Sequence, residues 1–257
     1  MDLGLDGRVA LVCSSTAGLG EAIARALAAE GAEVVVTGRR GERARAIADE
    51  LPKAAGVQAD LFDPQGPENL LRACQEAFGP PDILVLNGPG PGPGRITAVE
   101  HAELDQAFTA LVTVHHRLLT LALPAMRERR WGRVLAVGSS AVVAPIPDLA
   151  LSGVGRSALA SYLKSLATEV AADGVTVNML LPGRVDTDRV RAVDAARAAK
   201  SGRTPEEVKQ ESLTGIPAGR YGDPAEFAAV AAFLCSRQAA YLTGAAVSCD
   251  GGQSPVL

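Results

Sequence analysis

The 257-residue chain fits one large α/β domain or two small ones, and its 47% hydrophobic and 21% charged residues exclude intrinsic disorder. Its net charge of −4 argues against a nucleic-acid-binding surface or a polybasic membrane patch. The four cysteines lack metal-ligand or redox-motif spacing, the start MDLGLDGRVA lacks the features of a signal peptide, and no apolar stretch is long enough to span a membrane. We therefore expect a cytoplasmic protein with free thiols, no metal site, no nucleic-acid partner and no membrane partner.

The first half of the sequence alternates between short apolar runs and segments with helical periodicity. The runs, rich in Val, Leu and Ile, lie at 8–13, 32–38, 56–61 and 82–87, and Ala-rich segments such as 21–30 separate them. Nearly continuous apolar strands joined by helices indicate a parallel sheet that is covered on both faces. The sequence thus predicts a doubly wound α/β fold of the Rossmann type with three α/β/α layers.

The second half continues this pattern with longer helices. The predicted elements are a helix at 103–130, a strand at 132–140, a helix at 151–172, a strand at 175–183, a helix at 223–236 and a strand at 244–249. The charged segment 184–215 interrupts the alternation, and we interpret it as a helical lid over the substrate site. No repeat or linker divides the chain, so we predict a single dinucleotide-binding domain over 1–257.

A glycine-containing loop directly follows the first strand. It carries Gly18 and Gly20, and a helix begins at once. Glycines let a backbone approach phosphate groups, and a helix N-terminus offers free N–H groups and partial positive charge. A plain tight turn is the alternative, but the position of the loop within a βαβ unit favours a pyrophosphate site.

This loop resembles the T-G-x-x-x-G-x-G loop of the short-chain dehydrogenase/reductase family. Gly18 and Gly20 match its second and third glycines, whereas Cys13 and Ser14 replace its Thr-Gly pair. A serine costs more than a glycine if the turn needs a positive φ. The resemblance implies that the cofactor contacts this loop at Ser14, Ser15, Thr16, Gly18, Leu19 and Gly20.

The end of the second strand bears on which dinucleotide binds. In Rossmann-type domains an acid there favours NAD, and a basic residue favours the 2′-phosphate of NADP. Gly38 occupies the acid position and Arg39 follows it. A solvated arginine is the alternative interpretation of Arg39. NADP(H) is therefore favoured, with NAD(H) as the second choice.

The resemblance to the family extends over essentially the whole chain. Asp60 and Leu61 resemble its adenine-contacting pair, and Asn87 matches the first asparagine of its Asn-Asn-Ala-Gly motif, although the sequence continues as a Pro-Gly loop. NMLLPGRVDT matches its Pro-Gly turn and following threonine, and the closing segment shares its Asp-Gly-Gly ending. The cofactor contacts implied here are Asp60, Leu61, Asn87, Gly88, Pro182, Gly183 and Thr187.

Family members usually use Asn, Ser, Tyr and Lys in catalysis, and only the serine is matched here. Ser139 stands at the serine position, with Ser140 as a second candidate. Ser152 stands at the tyrosine position, Arg156 at the lysine position and Leu111 at the asparagine position. The resemblance therefore points to Ser139, Ser152 and Arg156 as the catalytic set, in an atypical active site.

These replacements change the chemistry that the site could perform. Serine is a poor general acid, although Ser152 could orient a water molecule, and Arg156 could stabilise developing negative charge. The alternative is that both residues only fill a helix face. His115 could act as an acid or base, but we expect it and His116 to pack at a helix–helix or subunit contact.

Three hypotheses for function remain open. The first is an NADP(H)-preferring oxidoreductase that interconverts a carbonyl and an alcohol and resembles reductases of 3-oxoacyl substrates. The second is a non-redox enzyme or dinucleotide-binding protein, and the third is a partner subunit of an active homologue. The family resemblance also implies a homotetramer or homodimer built through the two long helices and the last strand.

Overall fold

A computed structural model describes residues 2–255 of the protein. Seven parallel strands form one sheet with the spatial order β3-β2-β1-β4-β5-β6-β7. The strands are β1 (Val9–Val12), β2 (Glu33–Gly38), β3 (Ala54–Gln58), β4 (Ile83–Leu86), β5 (Gly132–Val137), β6 (Val175–Pro182) and β7 (Ala246–Cys249). The order reverses at β1, which lies between β2 and β4, so the sheet is doubly wound.

Helices cover both faces of the sheet and complete three layers. They are α1 (Gly18–Ala29), α2 (Gly41–Asp49), α3 (Gly66–Ala77), α4 (His101–Phe108), α5 (Val114–Glu128), α6 (Ala150–Val170), α7 (Asp188–Ser201), α8 (Pro205–Thr214) and α9 (Pro224–Leu234). One core joins α1, α2 and α9 to the sheet, and the other joins α3, α5 and α6 to its opposite face. This arrangement confirms the predicted three-layer Rossmann-type fold.

The central strands explain why the sequence pattern identified the fold. All residues of β1 (VALV) and β4 (ILVL) are buried. A parallel strand that is covered on both faces needs apolar side chains in both directions, so its sequence lacks alternation. No helix within residues 2–255 is long and apolar enough to cross a lipid bilayer.

Several predicted bounds differ from the structure by two or three residues, and two predicted elements differ in a way that has a clear physical reason. The third strand runs over Ala54–Gln58 rather than 56–61, because Asp60 starts a turn in which its carboxylate accepts a hydrogen bond from the backbone N–H of Phe62 at 3.0 Å. The helix predicted at 103–130 is divided into α4 and α5 by a π-helical turn at Thr109–Thr113. Such a turn contains one extra residue and often marks a functional site.

The charged segment 184–215 forms two helices, as its sequence predicted. They are α7 and α8, and they pack against each other beyond the carboxyl ends of the strands. Asp194 of α7 is buried and anchors this helical pair to the domain. Its carboxylate accepts hydrogen bonds from Arg184 at 2.5 Å and from the Tyr221 hydroxyl at 2.8 Å.

Candidate functional site

A cavity of about 1020 Å³ opens at the carboxyl ends of the strands. Its walls come from the loops after the first six strands, β1 to β6, and from α7 and α8. Open α/β sheets bind ligands at this edge, where the strand order reverses. Of the predicted site residues, those that line the cavity are Ser14, Thr16, Gly18, Leu19, Arg39, Asp60, Leu61, Asn87, Gly88, Ser139, Ser152, Arg156, Pro182, Gly183 and Thr187.

The loop after β1 has the backbone conformation that the glycine pattern suggested. Gly18 has φ +57° and Ser14 has φ +49°, so a serine occupies the left-handed region that favours glycine. A Cβ atom on Gly20 would stand 2.5 Å from the Ser14 carbonyl oxygen, so only glycine fits there. No side chain caps the start of α1, which leaves its first N–H groups directed at the cavity end of the helix.

Two residues of this loop for which the resemblance implies a cofactor contact, Ser15 and Gly20, do not line the cavity. Ser15 is fully buried beneath the loop. Its hydroxyl donates to the Val12 carbonyl oxygen at 2.6 Å and accepts from the Thr37 N–H at 2.9 Å. Ser15 therefore ties the loop to β1 and β2, and Gly20 permits close packing, so both support the loop from behind.

Two arginines lie at the cavity wall after β2. Arg39 is exposed, and within residues 2–255 its side chain has no hydrogen-bond or ion-pair partner. Arg40, which we had not singled out, also lines the cavity and donates to the Thr16 carbonyl oxygen at 2.8 Å. No acid stands at Gly38, where an added Cβ would lie 3.0 Å from Thr16. This wall suits an anionic group better than a pair of ribose hydroxyls.

Asn87 and Thr187 join the loops that surround the centre of the cavity. The Asn87 amide donates to the Ser14 carbonyl oxygen at 3.2 Å and so connects the loops after β4 and β1. The Thr187 hydroxyl accepts from the Val190 N–H at the start of α7. Its methyl carbon would lie 3.6 Å from a Cβ on Gly18, so α7 begins directly above the glycine loop.

The residues at the catalytic positions meet at the end of β5. The Ser139 Oγ accepts from the Ala141 N–H at 3.1 Å, which leaves its O–H free to donate to a ligand. The Ser152 hydroxyl has no partner within residues 2–255 and faces the cavity. Arg156 is buried, and its guanidinium donates to the Val137 carbonyl oxygen at 2.5 Å. Burial, assisted by the charge of Arg189, lowers the pKa of Arg156 to about 10, so it stays cationic at neutral pH.

His115 also lines the cavity, whereas we had expected it to pack at a helix–helix or subunit contact. Its Nδ1–H donates to the Leu111 carbonyl oxygen at 2.9 Å, which makes Nε2 an acceptor. Burial lowers the pKa of His115 to about 4, so the imidazole is neutral at pH 7. His116 does pack between helices, with its Nδ1 2.9 Å from the Tyr162 hydroxyl. Leu111, at the asparagine position, is buried away from the cavity.

None of the three tyrosines lines the cavity. Tyr162 bonds to His116, Tyr221 bonds to Asp194, and Tyr241 is fully exposed. No lysine of residues 2–255 lines it either. Among the described residues, the cavity is therefore lined by neither a tyrosine hydroxyl nor a lysine ammonium group.

The loops after β5 and β6 carry three further charged residues, Asp148, Arg184 and Asp186. Arg184 lines the cavity, but Asp194 neutralises its charge. Asp186 pairs with Arg191 at the surface, and Asp148 is exposed with φ +60°. Neither acid lines the cavity, so neither serves as a contact in this structure. Within residues 2–255 no three His, Cys, Asp or Glu side chains cluster as metal ligands do.

Comparison with known proteins agrees with this architecture. A family model described as enoyl-(acyl carrier protein) reductase matches residues 13–254. The 3-oxoacyl-(acyl-carrier-protein) reductase of Vibrio cholerae is 34% identical over 251 residues, which cover 97% of this chain and 98% of that protein. The chain belongs to the short-chain dehydrogenase/reductase family.

Solved structures of short-chain reductases superpose closely on the protein. L-sorbose reductase from Gluconobacter frateurii, complexed with NADPH and L-sorbose, is 30% identical, with a TM-score of 0.94 and full coverage of both chains. Actinorhodin polyketide ketoreductase with NADPH is 30% identical, with a TM-score of 0.91 over 97% of this chain and 98% of that one. Both of these crystal structures contain NADPH.

The cavity of this family member fits a nicotinamide dinucleotide. The uncapped start of α1, the left-handed Gly18 and the unpartnered Arg39 together form an anion-binding wall. A Cβ on Gly88 would have nothing within 4 Å, so the loop after β4 leaves room for a ligand there. The volume of about 1020 Å³ accommodates such a ligand together with a small substrate.

Proposed function

We propose that the protein is an NADP(H)-preferring oxidoreductase that interconverts a carbonyl and an alcohol on a small molecule. The observation that carries the proposal is the continuous cavity that joins the unpartnered Arg39 and the glycine loop to Ser139 and Arg156. The relatives support it, because the reductases named above share the fold and about a third of the sequence. Bound nicotinamide dinucleotide would supply the hydride.

The residues of the chain would then polarise the substrate oxygen. Ser139 donates its free hydroxyl hydrogen to this oxygen, and the Ala141 N–H, which donates to the Ser139 Oγ, holds the hydroxyl in place. Arg156, fixed by the Val137 carbonyl, stabilises the negative charge that develops there. Preorganised donors of this kind need no rearrangement during the reaction.

The proton that the substrate oxygen gains must come from a group other than the tyrosine that family members usually use. Ser152 has a free hydroxyl at the tyrosine position, but its intrinsic pKa is too high for it to act as the acid. We propose that Ser152 orients a water molecule that delivers the proton to the substrate oxygen. The helices α7 and α8 serve as the substrate lid over this site. The single dinucleotide-binding domain predicted over 1–257 includes residues 1, 256 and 257, which lie outside the described residues.

Two further properties accompany the proposal. The cysteines are free and three of them are buried, which suits a reducing compartment such as the cytoplasm. The long helices expose Phe108, Leu121 and Val154, each more than one-third accessible. We propose that these faces pair in a homo-oligomer, a dimer or a tetramer.

Transfer of deuterium provides the test of the redox function. The protein would be incubated with NADPH deuterated at the nicotinamide C4 and a panel of carbonyl compounds, and product deuteration would be read by mass spectrometry. We expect deuterated alcohol with at least one compound, and Ser139→Ala should reduce its rate about 100-fold. Full rate in that variant would remove Ser139 from the mechanism.

A second candidate function is a non-redox enzyme, a dinucleotide-binding protein or a partner subunit. The absence of every tyrosine and lysine of residues 2–255 from the cavity favours it. The double variant Ser152→Tyr with Arg156→Lys decides between the two. If the chain lost only its proton donor, this variant should transfer deuterium about 100-fold faster. No transfer by either form would favour the second candidate.

A further inference from the structure

Two guanidinium groups approach one point on the Pro-Gly loop that follows β4. If Gly90 carried a Cβ atom, Arg189 Nη2 would lie 3.2 Å from it and Arg156 Nη2 would lie 3.7 Å from it. Both arginines line the cavity. Arg156 stands one helical turn after Ser152, so the two cations meet beside the catalytic positions.

No carboxylate within residues 2–255 pairs with either of these arginines. Arg156 donates to a backbone carbonyl, and Arg189 approaches the Pro91 carbonyl oxygen at 3.5 Å. The other arginines on this side of the cavity, Arg184 and Arg197, each have an acidic partner. Arg156 and Arg189 therefore carry positive charge that no carboxylate compensates. The charges of the other two arginines are neutralised.

An anion bound between Arg156 and Arg189 would relieve the repulsion between their positive charges. Arg156 is only 9% exposed, and its burial together with the charge of Arg189 lowers the pKa of its guanidinium. Like charges that converge in a partly dry site repel each other. Arg189 is also the second residue of α7, so the positive end of that helix adds to the potential.

Residues other than Arg156 and Arg189 are placed to bind the phosphate groups of the cofactor. Gly18 and the start of α1 face the diphosphate position, and Arg39 follows β2. Arg156 bonds to the end of β5, which lies three strands from β2, or roughly 14 Å across the sheet. An anion at Gly90 would therefore be distinct from the 2′-phosphate, and it would lie beside Ser152 and Arg156, where we propose that the substrate reacts.

We propose that Arg156 and Arg189 form a carboxylate-binding subsite and that the substrate is an oxo acid or the corresponding hydroxy acid. Two guanidinium groups can bind a carboxylate through several charge-assisted hydrogen bonds. Since Arg156 also serves the reacting oxygen, the carboxylate lies close to the carbonyl. This proposal rests on the proposed function for the identity of the carbonyl, but the carboxylate subsite can be tested without turnover.

The test compares acetoacetate with its uncharged methyl ester in calorimetric titrations, with and without saturating NADP⁺, which cannot reduce either compound, at constant ionic strength. We expect acetoacetate to bind at least about tenfold more tightly than the ester. In Arg189→Gln and Arg156→Gln the two affinities should become equal. Arg191→Gln is the matched control, because it changes an arginine of the same helix that lies outside the cavity, and it should keep the preference.

Three results would overturn the proposal. They are equal affinity for the acid and the ester in the unaltered protein, binding of neither, and a preference that survives both substitutions. If the variants instead lose NADPH affinity and keep the preference, the arginines serve the cofactor. If Arg156→Gln does not fold, Arg189→Gln still tests the proposal, because Arg189 is exposed and its substitution leaves the core intact. A clear preference for the acid without deuterium transfer would uphold the subsite and reject the proposed redox function.

Discussion

At the scale of single residues, Ser14 shows most clearly how this chain departs from its family. The sequence raised the question whether the loop after β1 needs a positive φ at this position, and the structure gives +49°. A serine in the left-handed region costs about 1 kcal/mol relative to glycine. The loop keeps this conformation because Asn87 holds the Ser14 carbonyl oxygen.

We therefore predict that Ser14→Gly stabilises the protein by about 1 kcal/mol. Urea unfolding followed by circular dichroism measures the change. Ser157→Gly, on an exposed position of α6, is the control and should destabilise the protein by about 0.5 kcal/mol. A loss of stability in Ser14→Gly would show that the serine side chain makes a favourable contribution in this turn.

His115 provides a second prediction at this scale. Its burial lowers the pKa of the imidazole in the folded protein from the ordinary value of 6.5 to about 4. The hydrogen bond to the Leu111 carbonyl opposes this shift, and the positive charge of Arg156 adds to it. Between these values the unfolded chain binds more protons, so the free energy of unfolding falls as the pH decreases from 6.5 to 4. His115→Gln should remove up to about 3 kcal/mol of this loss.

Unfolding measured at several pH values tests the prediction for His115. His101→Gln is the control, since it removes an imidazole that is exposed at the start of α4, and it should keep the pH profile of the unaltered protein. The same pH profile in His115→Gln as in the unaltered protein would contradict the assignment.

At the scale of elements, the sequence located the strands well and the contacts of helices poorly. β1 and β4 were found because their apolar runs record burial on both faces. The π-helical turn between α4 and α5 was not predicted, because hydrogen-bond register leaves no trace in hydrophobic periodicity. That turn shifts the following side chains by about 100° around the axis, so the position of His115 on the cavity wall could not be deduced.

In the candidate site, too, residues that follow strands were predictable from the sequence, whereas contacts that depend on helix packing were not. Arg39 and Gly18 follow strands whose ends are visible in the sequence, so their place at the cavity was predictable. The convergence of Arg156 with Arg189 was not, because it depends on how α7 settles over the Pro-Gly loop. That placement relies on tertiary contacts between residues distant in sequence, such as Asp194 with Tyr221.

We predict that Asp194→Asn destabilises the packing of α7 and α8. The substitution leaves Arg184 without a countercharge in a partly buried position, which should cost about 2 kcal/mol or more. In this variant, amide hydrogen exchange over 188–214 should be faster than in the unaltered protein, whereas exchange in the strands should change less. Asp173→Asn, which weakens a more exposed pair with Arg127, is the control and should cost less than about 1 kcal/mol. Unchanged exchange over 188–214 would contradict the anchoring role of Asp194.

At the scale of the whole molecule, we propose that the protein retains the dinucleotide-binding half of a short-chain reductase and has altered the catalytic half. The cavity keeps the glycine loop, Asn87 and Thr187, yet no tyrosine or lysine of residues 2–255 lines it. In their place stand hydroxyl groups and uncompensated arginines, which can polarise and bind but cannot readily donate a proton. Binding of the cofactor is thus the property on which the proposed function depends first.

Titration of the purified protein with NADPH and with NADH, followed by nicotinamide fluorescence, tests this most directly. We predict that NADPH binds at least about tenfold more tightly and that Arg39→Gln removes the difference, since an arginine–phosphate contact contributes about 1.5–3 kcal/mol. Arg45→Gln, on the exposed side of α2 and outside the cavity, is the control and should keep the preference for NADPH over NADH. Equal affinity for the two dinucleotides would contradict the role of Arg39, and binding of neither would contradict the account of the cavity as a whole.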